Sequence, residues 1–421
     1  MVGANSTPDG TRVIRMGVIG IGAGASGMVP VFAKHPGFRW VAGADVNEEV
    51  LEAFGRDYEA KTYTDAEELC KDPNVDAVYI ASPNRWHMPH ALAALENGKH
   101  VLSEKPMTIT LEDAEIMIKT AERNGVHLAV NVKHSFELRV LKLREIVASG
   151  KYGSLRMLHS WRFNNWLYQP RTPEELNPEW GGGLPWRQGP HQLDIIRTVA
   201  GGMVRSVRGM TGVWDPDRKV AGVFSAFLEF ENGVVATAVN SGYDHLSSAP
   251  LVRGMSERGP LMDPARYARS RKDRAGASAE DDLAAKQASR YGGANRRGNG
   301  AAAGRGGGEE GGGGGWISGG PMVASFDHAD IWVMPEGLLV FGDEEQEEIS
   351  LVPVHGDGRW GRLTTFHDAL INDRPPAADG HWGRATLEVI LSIFQSSQER
   401  RELLLSHQTP TADEALTSAM T

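Results

Sequence analysis

The stretch GVIGIGAGASG, residues 17–27, lies between an apolar run typical of a buried strand and a segment with helical periodicity. Gly20, Gly22 and Ala25 fit the pattern G-x-G-x-x-G/A, which binds the pyrophosphate of a dinucleotide. Gly20 would allow the tight turn, Gly22 would let the backbone approach the phosphates, and Ala25 would let the helix pack closely on the strand. The stretch therefore predicts a dinucleotide site at the start of a Rossmann fold.

A second register of the same pattern, Gly22-x-Gly24-x-x-Gly27, is also present, and a glycine-rich turn with a purely structural role is the alternative. Asp45 ends the next strand-like run, about 25 residues after Gly20. A carboxylate at that point hydrogen-bonds the adenosine ribose hydroxyls and repels a 2′-phosphate. We therefore expect NAD as the cofactor rather than NADP.

Short apolar runs and helical segments alternate from Arg12 to about residue 132. This alternation predicts right-handed crossovers and a doubly wound parallel α/β sheet. The predicted strands are RVIRMGVIG, RWVAGAD, VDAVYIASP, KHVLSEKP and VHLAVNV, with helices between them. We expect residues 12–132 to form an NAD-binding Rossmann domain.

The pattern changes after about residue 133. A helix, LRVLKLREIVASG, leads into strands that alternate in polarity, and the ENG between two of them is a hairpin signal. The segment RATLEVILSIFQSSQERREL has the periodicity of a long amphipathic helix. Residues 133–421 are thus expected to form an α+β domain with an open, mostly antiparallel sheet.

Residues of about 250–315 interrupt this second domain. The segment begins with a basic part, contains AEDDLAAKQASRYGG, which fits a short helix, and ends in a glycine-rich run of low complexity. Such a composition predicts a solvated, disordered insertion. The alternative is an arm that binds nucleic acid or a partner, but the basic residues lack interleaved aromatic ones.

Composition excludes several classes of protein. The 421 residues carry a net charge of −10, which is unlike a nucleic-acid-binding protein. No stretch approaches the roughly 20 apolar residues of a membrane helix, and the amino terminus does not resemble a signal peptide. Cys70 is the only cysteine, so no intrachain disulfide can form. We expect a cytoplasmic protein that acts on a small molecule, without membrane or nucleic-acid partners.

The stretch GGGLPWRQGPHQLD, residues 181–194, brings Arg187, His191 and Asp194 into eight residues. Spacings of four and three place all three side chains on one face of a continuous helix. A metal site formed by the histidine and the aspartate would need a third ligand at a suitable spacing, which the sequence lacks. We expect no metal, and a polar face that is either catalytic or structural.

Two further segments resemble the Gfo/Idh/MocA family of oxidoreductases. Residues 81–106, ASPNRWHMPHALAALENGKHVLSEKP, resemble that family's P-N-x-x-H … G-K-H-V-x-x-E-K-P block, and residues 189–194 match its G-x-H-x-x-D pattern. The resemblance implies a Rossmann domain followed by an open sheet that often forms the interface of a homodimer or homotetramer. It also implies that cofactor contacts come from the positions Pro83, Asn84, His87, Glu104 and Lys105.

For catalysis, the resemblance implies that Lys105, followed by a cis proline, reaches the substrate near the nicotinamide. It implies that His191 is the acid/base. Asp194, three residues further on, is placed to orient His191. Each of the three residues also has a purely structural interpretation. Lys105 would then be a surface lysine, His191 a buried histidine bonded to backbone, and Asp194 a residue of the helix or of a salt bridge.

One position departs from the family pattern, because Arg187 stands where the family usually has an aspartate, four residues before the histidine. An arginine fork suits a carboxylate. The string around it, residues 320–343 and residues 379–389 all resemble one branch of the family, the phthalate cis-dihydrodiol dehydrogenases. An anionic substrate of that kind would be held by Arg187 with a second cation, Arg162 or Arg171. The alternative for Arg187 is a structural bond to a carboxylate of the first domain.

The weaker candidates are His134, as a substrate contact, and four tryptophans that form either an aromatic pocket or ordinary core: Trp161, Trp166, Trp180 and Trp186. The resulting hypothesis is NAD-dependent oxidation of a carboxylated cis-dihydrodiol, with His191 as proton acceptor. Lys105 either lowers the pKa of the alcohol or is itself the base. The alternatives are a sugar, polyol or glycoside 3-position oxidoreductase, a non-catalytic NAD sensor, and an NAD-using lyase or hydrolase.

Overall fold

The computed structural model separates into two compact units. It describes residues 12–255, 261–263, 268–295, 320–351 and 358–417. Within these ranges, the first unit consists of residues 12–131, 279–295 and 362–383, and the second of the remainder. No helix among the described residues has the length and apolar character needed to cross a membrane.

The first unit is built on a parallel sheet of six strands. These are β1 (Ile14–Ile19), β2 (Phe38–Ala44), β3 (Lys61–Tyr63), β4 (Ala77–Ile80), β5 (His100–Glu104) and β6 (Leu128–Asn131). They lie in the order β3-β2-β1-β4-β5-β6, so the direction of winding reverses between β1 and β4. The predicted doubly wound fold is confirmed, with one additional strand, β3, whose three residues are too few to show a periodicity. Ligands bind such sheets at the carboxyl ends of the strands, where the order reverses.

Five helices connect these strands. They are α1 (Val29–Lys34), α2 (Glu48–Tyr58), α3 (Ala66–Lys71), α4 (His87–Glu96) and α5 (Leu111–Asn124). Side-chain caps explain where three of them begin, since Asn47, Asp65 and Thr110 each accept a hydrogen bond from a backbone N–H in the first turn. Gly125, at φ +63°, ends α5 in the left-handed conformation that favours glycine.

The second unit begins with helices and strands that alternate irregularly. They are α6 (Leu138–Ser149), β7 (Leu155–Phe163), α7 (Leu184–Arg187), α8 (Gly189–Ala200), β8 (Val204–Gly212), β9 (Val223–Phe230), β10 (Val235–Ser241) and α9 (Arg269–Arg274). The hairpin expected at ENG joins β9 to β10, which pair antiparallel.

The segment predicted as a disordered insertion contains a packed portion. Helix α10 (Ala279–Ala288) leads to Tyr291, which is 5% exposed and packs against Phe54 and Tyr58 of α2. The Tyr291 hydroxyl donates a 2.9 Å hydrogen bond to Asp57. Residues 279–295 therefore belong to the first unit, which corrects the expectation that they are part of a disordered insertion in the second. The expected disorder of the glycine-rich run, residues 296–315, falls outside the described residues.

The remaining elements complete both units. They are β11 (Met322–Phe326), β12 (Ala329–Met334), β13 (Gly337–Gly342), β14 (Gln346–Ser350), α11 (Gly358–Asn372), α12 (Gly380–Glu399), β15 (Leu403–Leu404) and α13 (Asp413–Thr417). Residues 362–383, in α11 and the start of α12, join the first unit, where Val130 N–H donates to Ala378 O. The predicted boundary at residue 133 therefore omits two later segments that return to the Rossmann unit.

Nine strands form the sheet of the second unit, in the order β14-β13-β12-β11-β7-β10-β9-β8-β15. Among the strands that the structure describes, only β7 and β10 pair in parallel, so the predicted open, mostly antiparallel sheet is confirmed. One face carries Leu158, Ala236 and Leu228, which are cross-strand neighbours and completely buried. Helix α8 contacts β7 and β10. The opposite face is open and carries Phe227, which is 44% exposed.

Candidate active site

The glycine-rich loop after β1 lies against the loop after β4. Gly20 has φ +83°, and a Cβ there would lie 2.6 Å from the backbone nitrogen of Ser82, so no side chain fits. A Cβ at Gly22 would meet nothing within 4 Å, which leaves open space beside the backbone. Gly24 has an ordinary helical φ of −65°. The geometry thus favours the register that begins at Gly20, with Ala25 fully buried as the packing residue.

Asp45 follows β2 and is bonded to this loop. Its Oδ2 accepts a 2.7 Å hydrogen bond from the Ile21 N–H, and its Oδ1 accepts one of 2.9 Å from the Asn47 N–H. Each carboxylate oxygen has a second acceptor site. The carboxylate is therefore held in place with acceptor capacity left for hydroxyl groups of a ligand.

His87 ties together the loops that follow β4 and β5. Its Nδ1 lies 2.8 Å from the carbonyl oxygen of Pro106, and its Nε2 lies 2.8 Å from that of Ser82. Asn84 is buried and Pro83 is exposed on the same loop. His90, one turn further, is bonded to the Ser82 hydroxyl. Burial, with a contribution from His87, lowers the pKa of His90 to about 4.

Glu104 and Lys105 stand at the carboxyl end of β5. Oε1 of Glu104 accepts hydrogen bonds of 2.6 Å from the Tyr79 hydroxyl and from Asn131 Nδ2, so this carboxylate links β4, β5 and β6. Lys105 is half-buried, and the peptide bond to Pro106 is cis, as the family resemblance implied. Glu104 thus fixes the strand end from which Lys105 extends.

The first unit therefore gathers the predicted cofactor residues at one end of its sheet, beside the reversal between β1 and β4. The loop without side chains at Gly20 and Gly22 fits a pyrophosphate, and the anchored Asp45 carboxylate fits a ribose. These residues fit a bound dinucleotide.

The helix that carries His191 and Asp194 does not include Arg187. Helix α7 ends at Arg187, and α8 begins at Gly189, with Gln188 between them at φ −118°. Pro190 favours a new helix start because it lacks an N–H and has a fixed φ. The expectation of one continuous helical face for all three residues is wrong.

His191 lies beside His134 in the second unit. Their ring centroids are 4.6 Å apart, with the ring planes at 81°, and both side chains are largely buried. His134 Nδ1 lies 2.6 Å from Oε1 of Glu137, which is 3% exposed. Glu137 was not among the predicted residues, although its i+3 spacing from His134 is the spacing at which two helical side chains meet.

Asp194 is completely buried and belongs to a polar network. Its Oδ2 accepts a short hydrogen bond from the Ser135 hydroxyl, and its Oδ1 accepts one of 3.2 Å from Thr386. Thr386 in turn accepts a 2.7 Å bond from Arg197. These bonds fix the Asp194 carboxylate on α8, one turn after His191.

Arg187 is 29% exposed and shares the carboxylate of Glu175 with Arg171. Oε1 of Glu175 lies 3.1 Å from Arg171 Nη1 and 3.5 Å from Arg187 Nη2. Burial lowers the pKa of Arg171 to about 10, and the charges of Arg187 and Arg218 act in the same direction against that of Glu175. Arg171, Arg187 and Arg218 are therefore grouped near the Glu175 carboxylate, which lies in the same unit as Arg187.

Glu175 was not predicted either. Its local signal is a capping box, in which Thr172 N–H donates to Glu175 Oε2 and Glu175 N–H donates to the Thr172 hydroxyl. That signal predicts a helical turn and gives no indication of the arginines.

The other predicted cations are buried. Arg171 also donates to Trp166 O and Gln169 Oε1. Arg162 is 5% exposed and donates a 2.6 Å bond to Gln188 Oε1. Both are therefore engaged inside the unit, which disfavours them as the second substrate-binding cation.

The four tryptophans do not form one pocket wall. Trp161 stacks on His159 with ring centroids 5.7 Å apart, and His159 shares the open face with Phe227. Trp166 is buried beneath Arg171, and Trp186 stacks on Phe394 in the core. Trp180 is partly buried in a short turn.

Within the described part of the chain, no three His, Cys, Asp or Glu side chains are grouped to hold a metal ion.

Comparison with known proteins identifies the same two parts. Residues 14–132 match the model described as "Oxidoreductase family, NAD-binding Rossmann fold" (GFO_IDH_MocA). Residues 140–252 match the model of the GFO/IDH/MocA C-terminal domain.

Individual relatives include a 1-carboxy-3-chloro-3,4-dihydroxycyclohexa-1,5-diene dehydrogenase of Comamonas testosteroni, 41% identical over 58% of this chain. The match spans 62% of that relative's length. A D-glucoside 3-dehydrogenase of Escherichia coli K12 is 31% identical, over 52% of this chain and 68% of its own. The crystal structure of a provisionally assigned dehydrogenase from Bordetella bronchiseptica RB50 is 34% identical, with a TM-score of 0.83 over 93% of this chain and 100% of its own.

Proposed function

Because the chain belongs to the Gfo/Idh/MocA family of oxidoreductases, we propose that it is an NAD-dependent dehydrogenase of a carboxylated cis-dihydrodiol. The substrate class is the cis-dihydrodiol of phthalate or of a related aromatic acid. The product is the corresponding dihydroxy aromatic. The Comamonas relative supports this class, because its name specifies a carboxylated dihydroxycyclohexadiene.

One observation carries the proposal, the position of Arg187 in the arginine cluster. Arg187 and Arg171 both lie at the carboxylate of Glu175, and Arg187 is the more exposed of the two. A partly exposed guanidinium with two other arginines nearby attracts a carboxylate, which it can bind through two parallel hydrogen bonds. A substrate with a ring carboxylate meets this requirement, whereas a neutral sugar does not.

Loss of two hydrogens from the diol requires separate paths for a hydride and a proton. Bound NAD⁺ would supply the hydride acceptor, C4 of its nicotinamide. We assign the hydroxyl proton to His191, and we assign to Lys105 the role of lowering the pKa of that hydroxyl by its positive charge. The resulting ketone enolises to a catechol, so each turnover yields one dihydroxy aromatic, one NADH and one proton.

We infer that the cofactor is NAD rather than NADP. Asp45 supports this preference, since its carboxylate is anchored at the end of β2 by two backbone N–H groups. A fixed negative charge at this point accepts hydrogen bonds from ribose hydroxyls and repels a 2′-phosphate.

The second candidate is oxidation of a sugar, polyol or glycoside at its 3-position. The Escherichia coli relative favours it, because its name specifies a D-glucoside 3-dehydrogenase. Such a reaction would use the same residues, and Arg187 would then be a structural partner of Glu175.

The two candidates are separated by assaying NADH formation with phthalate cis-4,5-dihydrodiol and with a panel of neutral sugars. For wild type we expect turnover of the dihydrodiol. Arg187→Ala should raise its KM by roughly 10- to 100-fold, the loss typical of a hydrogen-bonded charge. Arg187→Lys should recover part of that loss, and Arg400→Ala, which removes an exposed arginine, is the control. Turnover of sugars that is indifferent to Arg187 would replace the first candidate by the second.

We also propose that the protein is a homodimer or homotetramer that associates through the open face of the nine-stranded sheet. The row across that face runs over five successive strands, through Phe227, Thr237, His159, Val323 and Trp332. Apolar and aromatic side chains on an exposed sheet face are typical of a protein interface.

A further inference from the structure

We propose that Glu137 is a positioning residue that acts through His134 on His191 and thereby sets the pH range in which His191 accepts the substrate proton. The inference rests on the proposed function, because it deepens the role given there to His191. It is carried by three observations within the second unit.

The first contact is the ion-pair geometry of Glu137 and His134. Glu137 Oε1 lies 2.6 Å from His134 Nδ1, and the two side chains are 3% and 14% exposed. At this distance the imidazole donates its Nδ1–H to the carboxylate. When His134 is neutral, its other nitrogen, Nε2, is then an acceptor, so Glu137 selects one tautomer of the ring.

The second observation concerns the place of Glu137 in the chain. Glu137 is the N-cap residue of α6, a position that favours the short side chains of Ser, Thr, Asp and Asn because they accept a hydrogen bond from the first turn. Its side chain makes no such bond, although its backbone carbonyl accepts from Val140 and Leu141. The carboxylate is bonded to His134 and does not cap the helix.

The third contact joins His134 to His191. The two rings meet edge to face, with centroids 4.6 Å apart. At this separation and burial, a positive charge on one imidazole disfavours a positive charge on the other, so the two rings titrate as a coupled pair. A carboxylate held against one member stabilises the single positive charge that the pair acquires.

Other charges near the pair come from the elements packed against α8 and from α8 itself. On the segment before α6 and in α6 these are Lys133 and Arg139, and Arg139 Nη1 lies 3.9 Å from Glu137 Oε2. Asp194 lies on α8 and is bonded to hydroxyl groups. Arg162 lies on β7, which contacts α8. Glu137 is bonded directly to the His134 ring.

The step itself is a proton transfer. His191 takes the proton of the substrate hydroxyl as the hydride leaves the carbinol carbon, and the imidazolium formed lies beside His134. Because the Glu137 carboxylate favours the protonated form of the pair, it raises the pKa of the pair. Below that pKa the pair already carries its proton and cannot accept the proton of the substrate. Removing its charge therefore moves the acid limb of kcat/KM to lower pH.

The test is the pH profile of kcat/KM for Glu137→Gln. We expect the acid limb to move down by about one pH unit, the lower end of the range for a neighbouring opposite charge. Glu145→Gln, which neutralises an exposed carboxylate on α6 itself, is the control and should leave the limb in place. A folded Glu137→Gln protein whose limb coincides with that of wild type overturns the inference.

A second readout does not depend on activity. In protein with ¹⁵N-labelled histidine, the His134 resonances should report a ring protonated at Nδ1, and Glu137→Gln should change that signature. His134→Gln assigns the resonances and also serves if Glu137→Gln does not fold, because it removes the coupled ring while retaining a donor for Glu137. His134→Gln with an unmoved acid limb would equally overturn the inference.

These outcomes separate the two hypotheses. A shifted limb measured with a sugar as substrate would reject the proposed dihydrodiol but keep the role of Glu137. Turnover of the dihydrodiol with an unmoved limb would keep the proposed function and reject the role of Glu137.

Discussion

The backbone N–H of Ile21 donates a 2.7 Å hydrogen bond to Oδ2 of Asp45, which joins the glycine-rich loop to the end of the neighbouring strand. The Asn47 N–H holds the other carboxylate oxygen at 2.9 Å. Asp45, which we assign to ribose recognition, therefore also holds the glycine-rich loop, which we assign to the pyrophosphate. The two halves of the candidate cofactor site depend on one carboxylate.

This carboxylate leads to a prediction about cofactor selection. Asp45→Asn keeps an oxygen that can accept from Ile21 but removes the negative charge, so discrimination against the 2′-phosphate of NADP should fall. Asp45→Ala also removes both hydrogen bonds and should raise the KM for NAD⁺ by tenfold or more, since it leaves the Ile21 and Asn47 N–H groups without their acceptor. The measurement is kcat/KM for NAD⁺ and NADP⁺, with Glu52→Gln on the exposed side of α2 as control. An unchanged ratio in Asp45→Asn would show that the carboxylate does not select the cofactor.

Gly20 provides a prediction about the loop itself. Gly20→Ala places a Cβ 2.6 Å from the Ser82 nitrogen at φ +83°, so the backbone has to move. The left-handed conformation alone costs an alanine about 1–2 kcal/mol. NADH binding, measured by fluorescence, should be lost or severely weakened. Gly24→Ala is the matched control, since Gly24 is helical and its Cβ would find its nearest neighbour at 4.0 Å. Equal binding by both variants would contradict the assigned register.

Much of the first unit could be predicted because its signals are local. Gly20 and Gly22 stand in a fixed spacing after a strand, and Asp45 follows the next strand at the expected interval. The order of these signals along the chain is the order of the Rossmann crossovers. Strand β3 escaped prediction because three residues at a sheet edge show no period.

The second unit was harder to predict because its site depends on contacts between distant residues. Glu175 meets Arg187 twelve residues later, and Thr386 meets Asp194 from 192 residues away. The spacing of Arg187 and His191 predicts one helix, but a new helix begins at Gly189, directly before Pro190. Residues 279–295 have a polar, glycine-containing sequence, and their packing on the first unit depends on one buried side chain, Tyr291. A single aromatic residue gives no periodic pattern from which that packing could be predicted.

The open face of the nine-stranded sheet leads to a prediction about assembly. Phe227 is 44% exposed at the middle of β9, and Phe227→Glu places a charge within the proposed interface. We expect a smaller species in light scattering coupled to size-exclusion chromatography, because burial of an unpaired charge costs several kcal/mol. Lys119 is an exposed side chain on α5 of the first unit, and Lys119→Glu should leave the mass unchanged. A wild-type protein that is monomeric at assay concentration would remove the basis for the proposal.

His100 leads to a prediction about stability and pH. Its Nδ1 accepts a 3.0 Å hydrogen bond from the His127 N–H, and burial, with the nearby His127 ring, lowers its pKa to about 4. In the unfolded chain the same group has its ordinary pKa of about 6.5. Between these values the unfolded state binds the additional proton, so the free energy of unfolding falls as the pH is lowered from about 6.5 towards 4. One such proton contributes at most about 1.4 kcal/mol per pH unit.

His100→Gln removes this proton site and keeps an oxygen that can accept from His127. The variant should be less stable than wild type at neutral pH, because the site is repacked. Its free energy of unfolding should then fall less steeply as the medium becomes acidic, so that the two curves converge. Urea denaturation followed by tryptophan fluorescence across this pH range measures both slopes, and His381→Gln controls for the loss of an exposed histidine of the same unit. Parallel curves for His100→Gln and wild type would mean that His100 takes up its proton at the same pH in both states.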